Sequence, residues 1–263
     1  MKQITSRDNP LYKRVLRLAT GKRDIGGDDT RRVVLEGVHL CQAWLQHRGL
    51  PELALFDETL LHTHAELQDL AAALRADQCI GLDPRLAKSL SQVEHGQGVY
   101  FVVEPASAPV PARIACNSLW LDRIQDPGNI GTLLRTAAAA GIEHAFLSTG
   151  CAAAWSPKVL RSAQGAHFVL SISEHLDLRS EARKLAIPAV ATALHDAQSL
   201  YQTALPAKCA WFFGNEGQGV APELMALARL RVFIPQVRDV ESLNVAVAAG
   251  VCLFEQRRQH AAG

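Results

Sequence analysis

The stretch FFGNEGQGV, residues 212–220, decides the fold that this sequence predicts. The apolar run CAWFF, which ends inside it, is typical of a buried strand because it is short, aromatic and uninterrupted. The three glycines of the loop permit backbone angles that other residues avoid, and they let a ligand approach the main chain closely. A plain turn explains the stretch equally well when it is taken alone. A loop at the carboxyl end of a buried strand is, however, where open α/β sheets bind ligands.

Strands and helices alternate on both sides of this stretch. The predicted strands are SLWLDRI, HAFLST, FVLSIS, IPAVATAL, CAWFF and RVFIP. The predicted helices are IGTLLRTAAAAG, SPKVLRSAQGA, DLRSEARKLA, APELMALA and LNVAVAAGVCLFEQRRQ. Such alternation forms a mainly parallel sheet that is covered on both faces. Residues 113–263 are therefore predicted to be one α/β domain.

A smaller α/β sandwich is predicted at the start of the chain, over residues 1–103. Its strands are RVVLEG, LALFD and GVYFVVE, and its helices are VHLCQAWLQHRG, AELQDLAAALRA and DPRLAKSLSQV. Asn9-Pro10 predicts a further helix start, a cap followed by a first-turn proline. The segment GKRDIGGDD (21–29) predicts a mobile break. Residues 104–112, EPASAPVPA, are rich in proline and small residues and are typical of a linker.

Charge is distributed unevenly along the chain, although the formal net charge is only +1. Residues 1–32 hold nine Lys/Arg against four Asp, and residues 33–112 hold four basic against ten acidic groups. A cationic N-terminal arm indicates a polyanionic partner such as nucleic acid, with Lys13, Arg14 and Arg17 as candidate contacts. A merely solvated helix face explains the same charges.

Composition excludes several other classes. No apolar run approaches the roughly 18 residues of a membrane helix. The N-terminus lacks an apolar signal core, so we expect a cytoplasmic protein. Six cysteines are scattered without a CxxC pair, which favours buried free thiols over zinc ligands or disulfides. His62 and His64 indicate a solvated pair, and no metal site is expected.

Two further loops carry polar residues at predicted strand ends. Asn129 follows the DPG turn before a helix predicted to begin near Ile130, where it serves either as a cap or in a site. Arg135 lies on that helix among alanines and small residues, so its guanidinium needs a partner such as a phosphate. Ser242 and Asn244 precede the last helix and have the same two interpretations, an N-cap with a first-turn polar residue or a site.

Taken together, these three segments resemble the motifs of the SpoU/TrmH family of RNA 2′-O-ribose methyltransferases, in the SPOUT class. The first motif, N-x-G-x-x-x-R, matches Asn129, Gly131 and Arg135. The second, F-G-x-E-x-x-G, matches Phe213, Gly214, Glu216 and Gly219. The third, I-P then S-L-N-V, matches Ile234, Pro235, Ser242, Leu243, Asn244 and Val245. No G-x-G-x-x-G follows the first strand, which argues against a nicotinamide Rossmann enzyme.

The resemblance implies a fold and a site. The C-terminal domain would be a deep trefoil knot, a rare exception to unknotted topology, whose loops bind S-adenosylmethionine without a metal. The cofactor-binding residues it implies are Thr192, Ala193, Leu194, Gly214, Asn215, Glu216, Gly219, Ile234, Pro235, Ser242, Leu243 and Asn244. The catalytic residues it implies are Arg135, Asn129, Glu216, Ser242 and Asn244. Arg135 is a poor base by itself and is assigned to act with the substrate's phosphate, while Glu216 stays open as the alternative base.

The resemblance extends to partners. VVLEGVHLCQAWL, around Glu36 and Gly37, is similar to the family's accessory substrate-binding domain, which is related to an RNA-binding ribosomal-protein fold. This layout favours ribosomal over transfer RNA as the substrate, and either the sandwich or the basic arm could set specificity. Gln164 departs from the family, which often has serine at that position. A homodimer is expected through the last helix, residues 243–259, whose apolar residues exceed one buried stripe (Val245, Val247, Val251, Leu253, Phe254).

Two other functions compete with this interpretation. One is a non-catalytic RNA-binding or assembly protein that retains the knotted fold. The full set of motif residues argues against it, because a degenerate copy should have lost some of them. The other is a small-molecule α/β enzyme with a nucleotide cofactor, which gives no reason for the basic arm or the accessory domain.

Overall fold

The structure is a computed structural model, and it describes residues 1–22, 31–105, 108–237 and 242–260. The chain divides into two compact units, the first formed by residues 1–106 and 155–160 and the second by residues 107–154 and 161–263. The division at residue 106 falls inside the segment predicted as a linker. Most of the predicted break at 21–29 and residues 106 and 107 of the predicted linker lie outside the described residues.

The first unit is built on a five-stranded mixed sheet. Its strands are β1 (Lys2–Ile4), β2 (Val33–Glu36), β3 (Leu53–Asp57), β4 (Cys79–Leu82) and β5 (Val99–Val103). Their order is β1-β4-β3-β5-β2, with β1, β4 and β3 parallel and β5 antiparallel to both β3 and β2. The helices are α1 (Pro10–Ala19), α2 (Val38–Arg48), α3 (Glu58–Thr63), α4 (Ala65–Ala72) and α5 (Pro84–Leu90).

The start of the chain is part of this sheet rather than an arm extending from it. β1 pairs with β4 at the sheet edge, and α1 buries Tyr12, Val15 and Leu18. The predicted cap is confirmed, since the Asn9 side chain accepts hydrogen bonds from the backbone amides of Leu11 and Tyr12. The sequence did not predict β1, β4 and α3, because these elements are short and show no regular spacing of apolar and polar residues. In β4 all four residues are buried, and one of them is a glycine.

Glu36 and Gly37 have a structural role inside this unit. The Glu36 carboxylate accepts hydrogen bonds from Ser91 Oγ and, at 3.1 Å, from the Gln92 backbone amide. Gly37 has φ +100°, and a Cβ there would lie 2.9 Å from Gln97 Oε1. The pair therefore fixes the loop between α5 and β5 to the end of β2.

The second unit is built on a seven-stranded sheet. Its strands are β6 (Ser118–Asp122), β7 (His144–Ser148), β8 (Ser171–Leu176), β9 (Ala189–Thr192), β10 (Gln198–Ser199), β11 (Ala210–Gly214) and β12 (Leu230–Phe233). Their order is β10-β12-β9-β11-β6-β7-β8, and every neighbouring pair is parallel. The helices are α6 (Pro127–Ala140), α8 (Leu178–Glu181), α9 (Pro222–Met225) and α10 (Val245–His260), whereas α7 (Pro157–Ala163) begins in residues of the first unit and ends in the second. The predicted mainly parallel α/β sheet is confirmed, and the trefoil knot stays a prediction.

The aromatic residues of β11 alternate between the two faces of this sheet. Phe212 packs in one core with Trp120 of β6, whose ring lies 5.4 Å from it and 4.6 Å from that of Phe146. Trp211, on the opposite face, donates its indole N–H to Gln256 Oε1 of α10 at 2.8 Å. α10 packs beside α6, and both helices begin close to the carboxyl ends of the central strands.

In the described part of the chain, no helix is both long and apolar enough to cross a membrane. The same residues contain no group of three or more His, Cys, Asp or Glu that could hold a metal ion. All six cysteines are free, four of them buried and two half-buried.

Candidate active site

A cavity of about 450 Å³ lies at the carboxyl ends of β9, β11 and β12 in the second unit. Its walls are the loops that follow these strands and the first turn of α10. Ten of the twelve predicted cofactor-binding residues line it: Thr192, Ala193, Leu194, Gly214, Asn215, Glu216, Gly219, Ile234, Ser242 and Leu243. Pro235 and Asn244 are not among its lining residues.

Sequence reasoning missed several residues of this cavity. His195, Gln218 and Gln236 line it as well. His195 directly follows the predicted strand end 192–194, but it lies outside the three motifs. The sequence could have indicated His195 as a site residue, since the loop after β9 lies beside the loops after β11 and β12 in a parallel sheet.

Gly214 is required by the loop itself. A Cβ on Gly214 would lie 2.0 Å from both the carbonyl carbon of Gly219 and the amide nitrogen of Val220. The expected reason for this glycine was space for a ligand, whereas the structure shows close approach of the loop's own backbone. Asn215 shapes the same turn, because its Oδ1 accepts hydrogen bonds from the amides of Gly217 and Gln218 at 2.9 and 3.1 Å.

Of the two interpretations of Asn129, a helix cap or a site residue, the structure contradicts the cap. The helix begins at Pro127, three residues before the predicted start, and its cap is Asp126, whose carboxylate accepts from the Asn129 backbone amide at 2.9 Å. Pro127 favours this earlier start, since proline suits the first helical position. The side chain of Asn129 therefore does not cap α6.

A chain of hydrogen bonds connects one residue from each of the three motifs. Asn244 caps α10, its Oδ1 accepting from the amides of Ala246 and Val247 at 2.9 and 3.4 Å. Its amide group donates to Asn129 Oδ1 at 3.0 Å, and the Asn129 amide donates in turn to Glu216 Oε1 at 2.6 Å. The cap of α10 is thus Asn244 and not Ser242, which lines the cavity instead. Three segments that are distant in sequence meet through these side chains.

Arg135 is not joined to this chain of hydrogen bonds. It is exposed on α6, and its side chain makes no hydrogen bond or ion pair with any described residue. It does not line the cavity. A guanidinium in this state is available to a ligand from solution.

Two buried histidines of the second unit lie outside the cavity. The ring of His144 stacks on Phe146 at 4.1 Å, and its Nε2 lies 3.0 Å from Ser173 Oγ. His167 Nε2 donates to the Ala154 carbonyl at 2.6 Å. Burial lowers the pKa of each to about 4, so both are neutral at physiological pH and serve the fold.

The fold and the site define an α/β enzyme that binds a small ligand at the carboxyl ends of its strands. Comparison with known proteins gives the family. The chain belongs to the SpoU rRNA Methylase family, whose family model matches residues 117–254. The resemblance inferred from the three motifs is confirmed.

Similar proteins cover nearly the whole chain. A Synechocystis protein named as an uncharacterized tRNA/rRNA methyltransferase is 36% identical in an alignment of 264 positions, which covers 97% of this chain and 93% of that protein. RlmP of Bacillus subtilis, a 23S rRNA (guanosine(2553)-2′-O)-methyltransferase, is 33% identical in an alignment of 265 positions, which covers 98% of this chain and 100% of RlmP. The crystal structure of an rRNA methyltransferase from Sinorhizobium meliloti superposes with a TM-score of 0.86 at 27% identity and 99% coverage of both chains. An S-adenosylmethionine-bound rRNA methyltransferase structure from that organism gives 0.85 at 26% identity, again with 99% coverage of both.

Proposed function

We propose that this chain transfers a methyl group from S-adenosylmethionine to a ribose 2′-hydroxyl of ribosomal RNA. The observation that carries the proposal is the hydrogen-bonded chain of Asn244, Asn129 and Glu216, because it joins all three family motifs and its Glu216 lines the cavity. Family membership and the 2′-O-methyltransferase activity in the name of the Bacillus relative support the reaction and the RNA class.

The cavity fits the cofactor. Its volume of about 450 Å³ is within the range of small-molecule sites, roughly 300–1,000 Å³. Val232, Ile234 and Leu243 offer apolar surface to a flat base, and the loop from Gly214 to Gly219 offers backbone donors and acceptors. S-adenosylmethionine, when bound, supplies an electrophilic methyl group carried on a positively charged sulfur.

The chain's own residues would orient the RNA. Arg135 is exposed and presents a planar fork of donors, which suits bidentate binding of a phosphate. We assign it to the phosphate beside the target ribose, together with which it would act on the 2′-hydroxyl. Asn129 and Asn244 are held by each other and by Glu216, so they present a fixed polar edge to the ribose.

The first unit would bind the RNA by charge. On α1, Lys13 pairs with Asp8 at 2.8 Å and Arg14 with Glu52 at 3.4 Å, whereas Arg17 is exposed without an ion pair. Such exposed pairs are weak, so phosphates can replace the carboxylates. These residues support the prediction of an RNA-binding N-terminal domain.

A second copy of the chain would cover the outer face of α10. Val247 and Phe254 are 54% and 47% exposed, and Val251 lies between them on the same face of the helix. Val245 and Leu253, which were counted as surplus apolar residues, are buried in the second unit's own core. We infer a homodimer through the remaining three residues, Val247, Val251 and Phe254.

Replacing both Val247 and Phe254 with Glu should give a monomer by light scattering. Leu227→Glu, at an exposed apolar residue outside α10, is the control and should stay dimeric. A dimer in both variants would overturn the interface.

The function is tested by incubating the full chain with labelled S-adenosylmethionine and unmodified ribosomal or transfer RNA. We expect label in ribosomal RNA, in a nucleotide that mass spectrometry identifies as 2′-O-methylated. Binding of the cofactor with no label in either RNA would favour the non-catalytic alternative. Label on a base instead of a ribose would contradict the proposed reaction.

A further inference from the structure

The dipeptide Asp122-Arg123, at the end of β6, contacts the glycine-rich loop at both of its ends and in its middle. We define this loop as residues 214–221. At its start, Gly214 pairs with Asp122 in the parallel ladder between β11 and β6. At its end, the Ala221 amide donates to Asp122 Oδ2 at 2.8 Å. Asp122 is buried, so both ends of the loop are attached to a fixed point of the sheet.

Arg123 contacts the middle of the same loop with both its backbone and its side chain. Its carbonyl accepts a hydrogen bond from Asn215 Nδ2 at 3.0 Å. Its guanidinium donates to Gln218 Oε1 at 2.8 Å and to the Gly219 carbonyl at 3.4 Å. The other edge of the guanidinium donates to the two carboxylate oxygens of Asp122 at 3.2 and 3.1 Å. Arg123 thereby bridges the buried carboxylate and the cavity-lining part of the loop.

The backbone of Arg123 is held in an unfavourable conformation. Its φ is +57°, in the left-handed region that side-chain-bearing residues rarely occupy. The Ser148 hydroxyl accepts from its amide at 2.8 Å, which fixes the residue there. The hydrogen bond to Asp122 also raises the pKa of the Arg123 guanidinium. Strain that is retained beside a ligand site indicates a role for the side chain.

We propose that Arg123 is a positioning residue, which holds the glycine-rich loop in the shape that binds the cofactor. The inference rests on the proposed function. Residues 216–219 are exposed and include two glycines, and they are held in place by hydrogen bonds with Asn129, Asn215 and Arg123. Without Arg123 the loop would occupy its binding shape for a smaller fraction of the time. The apparent Kd for S-adenosylmethionine, which is the intrinsic Kd divided by that fraction, would rise accordingly. Arg123 acts on binding through Gln218 and Gly219, and it has no part in the chemical step.

The test compares three variants of the full chain. Arg123→Gly removes the guanidinium and suits φ +57°; Arg123→Lys keeps the charge but loses the fork that reaches both Asp122 and the loop. His175→Gly is the control, because His175 has φ +58°, is exposed and does not line the cavity. We expect Arg123→Gly to raise the Kd for S-adenosylmethionine about tenfold by calorimetry, about 1.4 kcal/mol. At saturating cofactor the kcat of Arg123→Gly should stay within about threefold of wild type. Arg123→Lys should recover only part of the affinity for S-adenosylmethionine. His175→Gly should bind the cofactor as wild type does.

Hydrogen exchange of the backbone amides of residues 215–221 gives a second readout that needs no cofactor. These amides should exchange faster in Arg123→Gly than in wild type and in His175→Gly, with the melting temperature nearly unchanged. Wild-type affinity together with wild-type exchange in Arg123→Gly would overturn the proposal. If the wild-type chain itself failed to bind S-adenosylmethionine, the proposed function would fail, and the exchange rates would still decide whether Arg123 holds the loop.

Discussion

Asn129 and Glu216, 87 residues apart in the sequence, are joined by a hydrogen bond of 2.6 Å in which the asparagine amide donates to Glu216 Oε1. The direction of the bond follows from Asn244. Its Oδ1 caps α10, so its amide group must face Asn129 Oδ1, and only the Asn129 amide remains for the glutamate. Glu216 therefore serves as an acceptor that fixes Asn129. Of the two roles left open by the sequence, this geometry favours positioning over proton abstraction.

Replacement of Glu216 distinguishes these two roles. Glutamine can still accept the bond from Asn129, so Glu216→Gln should retain at least about a third of the wild-type kcat. Glu216→Ala leaves the Asn129 amide without its acceptor and should lose about 10- to 100-fold, in line with roughly 1.5–3 kcal/mol for a hydrogen bond to a charged group. Single-turnover methylation at saturating cofactor measures both. A loss of 10²–10⁴-fold in Glu216→Gln would instead identify the carboxylate as the general base.

Asn244 has two functions, which a pair of substitutions separates. Asp is as good a helix cap as Asn but cannot donate to Asn129, so Asn244→Asp should keep the stability of wild type and lose at least about tenfold in kcat. Asn244→Ala loses the cap as well and should reduce the free energy of unfolding by about 1 kcal/mol. Chemical denaturation and single-turnover rates give the two quantities. Equal stability in the two variants would mean that the cap contributes nothing.

The sequence predicted the second unit better than its site. β6, β7, β9, β11 and β12 are short buried runs bounded by turns, so their positions could be read directly, and the motifs located the loops that line the cavity. The partners of Asn129 could not be predicted, because they depend on helix starts and on strands that are neighbours only in the folded sheet. Arg123 carried no signal at all, since a positive φ at a residue other than glycine cannot be recognised from sequence.

Gly214 and Gly217 should respond differently to the same added methyl group. A Cβ at Gly214 meets backbone at 2.0 Å, so Gly214→Ala should displace the loop and abolish binding of S-adenosylmethionine. Gly217 has no positive φ, and its nearest neighbour to a Cβ is Asn215 Oδ1 at 3.6 Å, which is ordinary contact. Gly217→Ala should therefore fold with an unchanged melting temperature and report on ligand space alone. Calorimetry that found wild-type affinity in Gly214→Ala would refute the location of the site.

Arg135→Ala should abolish methylation while cofactor binding stays nearly intact. The physical reason is that Arg135 is exposed on α6, does not line the cavity and has no partner among the described residues, so its removal should disturb neither fold nor cofactor binding. Arg135→Lys should recover little, because a point charge cannot reproduce the planar fork. Arg183→Ala, which removes an exposed arginine elsewhere in the second unit, is the matched control. If Arg135→Ala kept more than about a tenth of the wild-type kcat, a loss below ~1.4 kcal/mol, the assignment would be wrong.

Helix α1 provides the test of RNA binding by the first unit. Lys13, Arg14 and Arg17 lie within about one helical turn, and replacing all three with Gln removes their charge while keeping helix propensity. RNA affinity should fall, KM for RNA should rise, and cofactor affinity should not change. The slope of log K against log salt should shrink by about two to three, if all three contact phosphate, since each contact contributes roughly 0.7–0.9. Lys13 and Arg14 already pair with Asp8 and Glu52, so phosphate must displace those carboxylates. Of the three single substitutions, Arg17→Gln should therefore cause the largest loss of RNA affinity.

The control for this experiment replaces Arg48 and Arg75, which are exposed outside α1 in the same unit, with Gln. Equal weakening in the control would mean that the unit's general charge attracts RNA and that α1 has no special part. Wild-type affinity and slope in the α1 variant would make this helix a solvated face. The RNA would then have to be selected by other residues of the sandwich or by the second unit itself, where Arg135 is an exposed cation already assigned to phosphate.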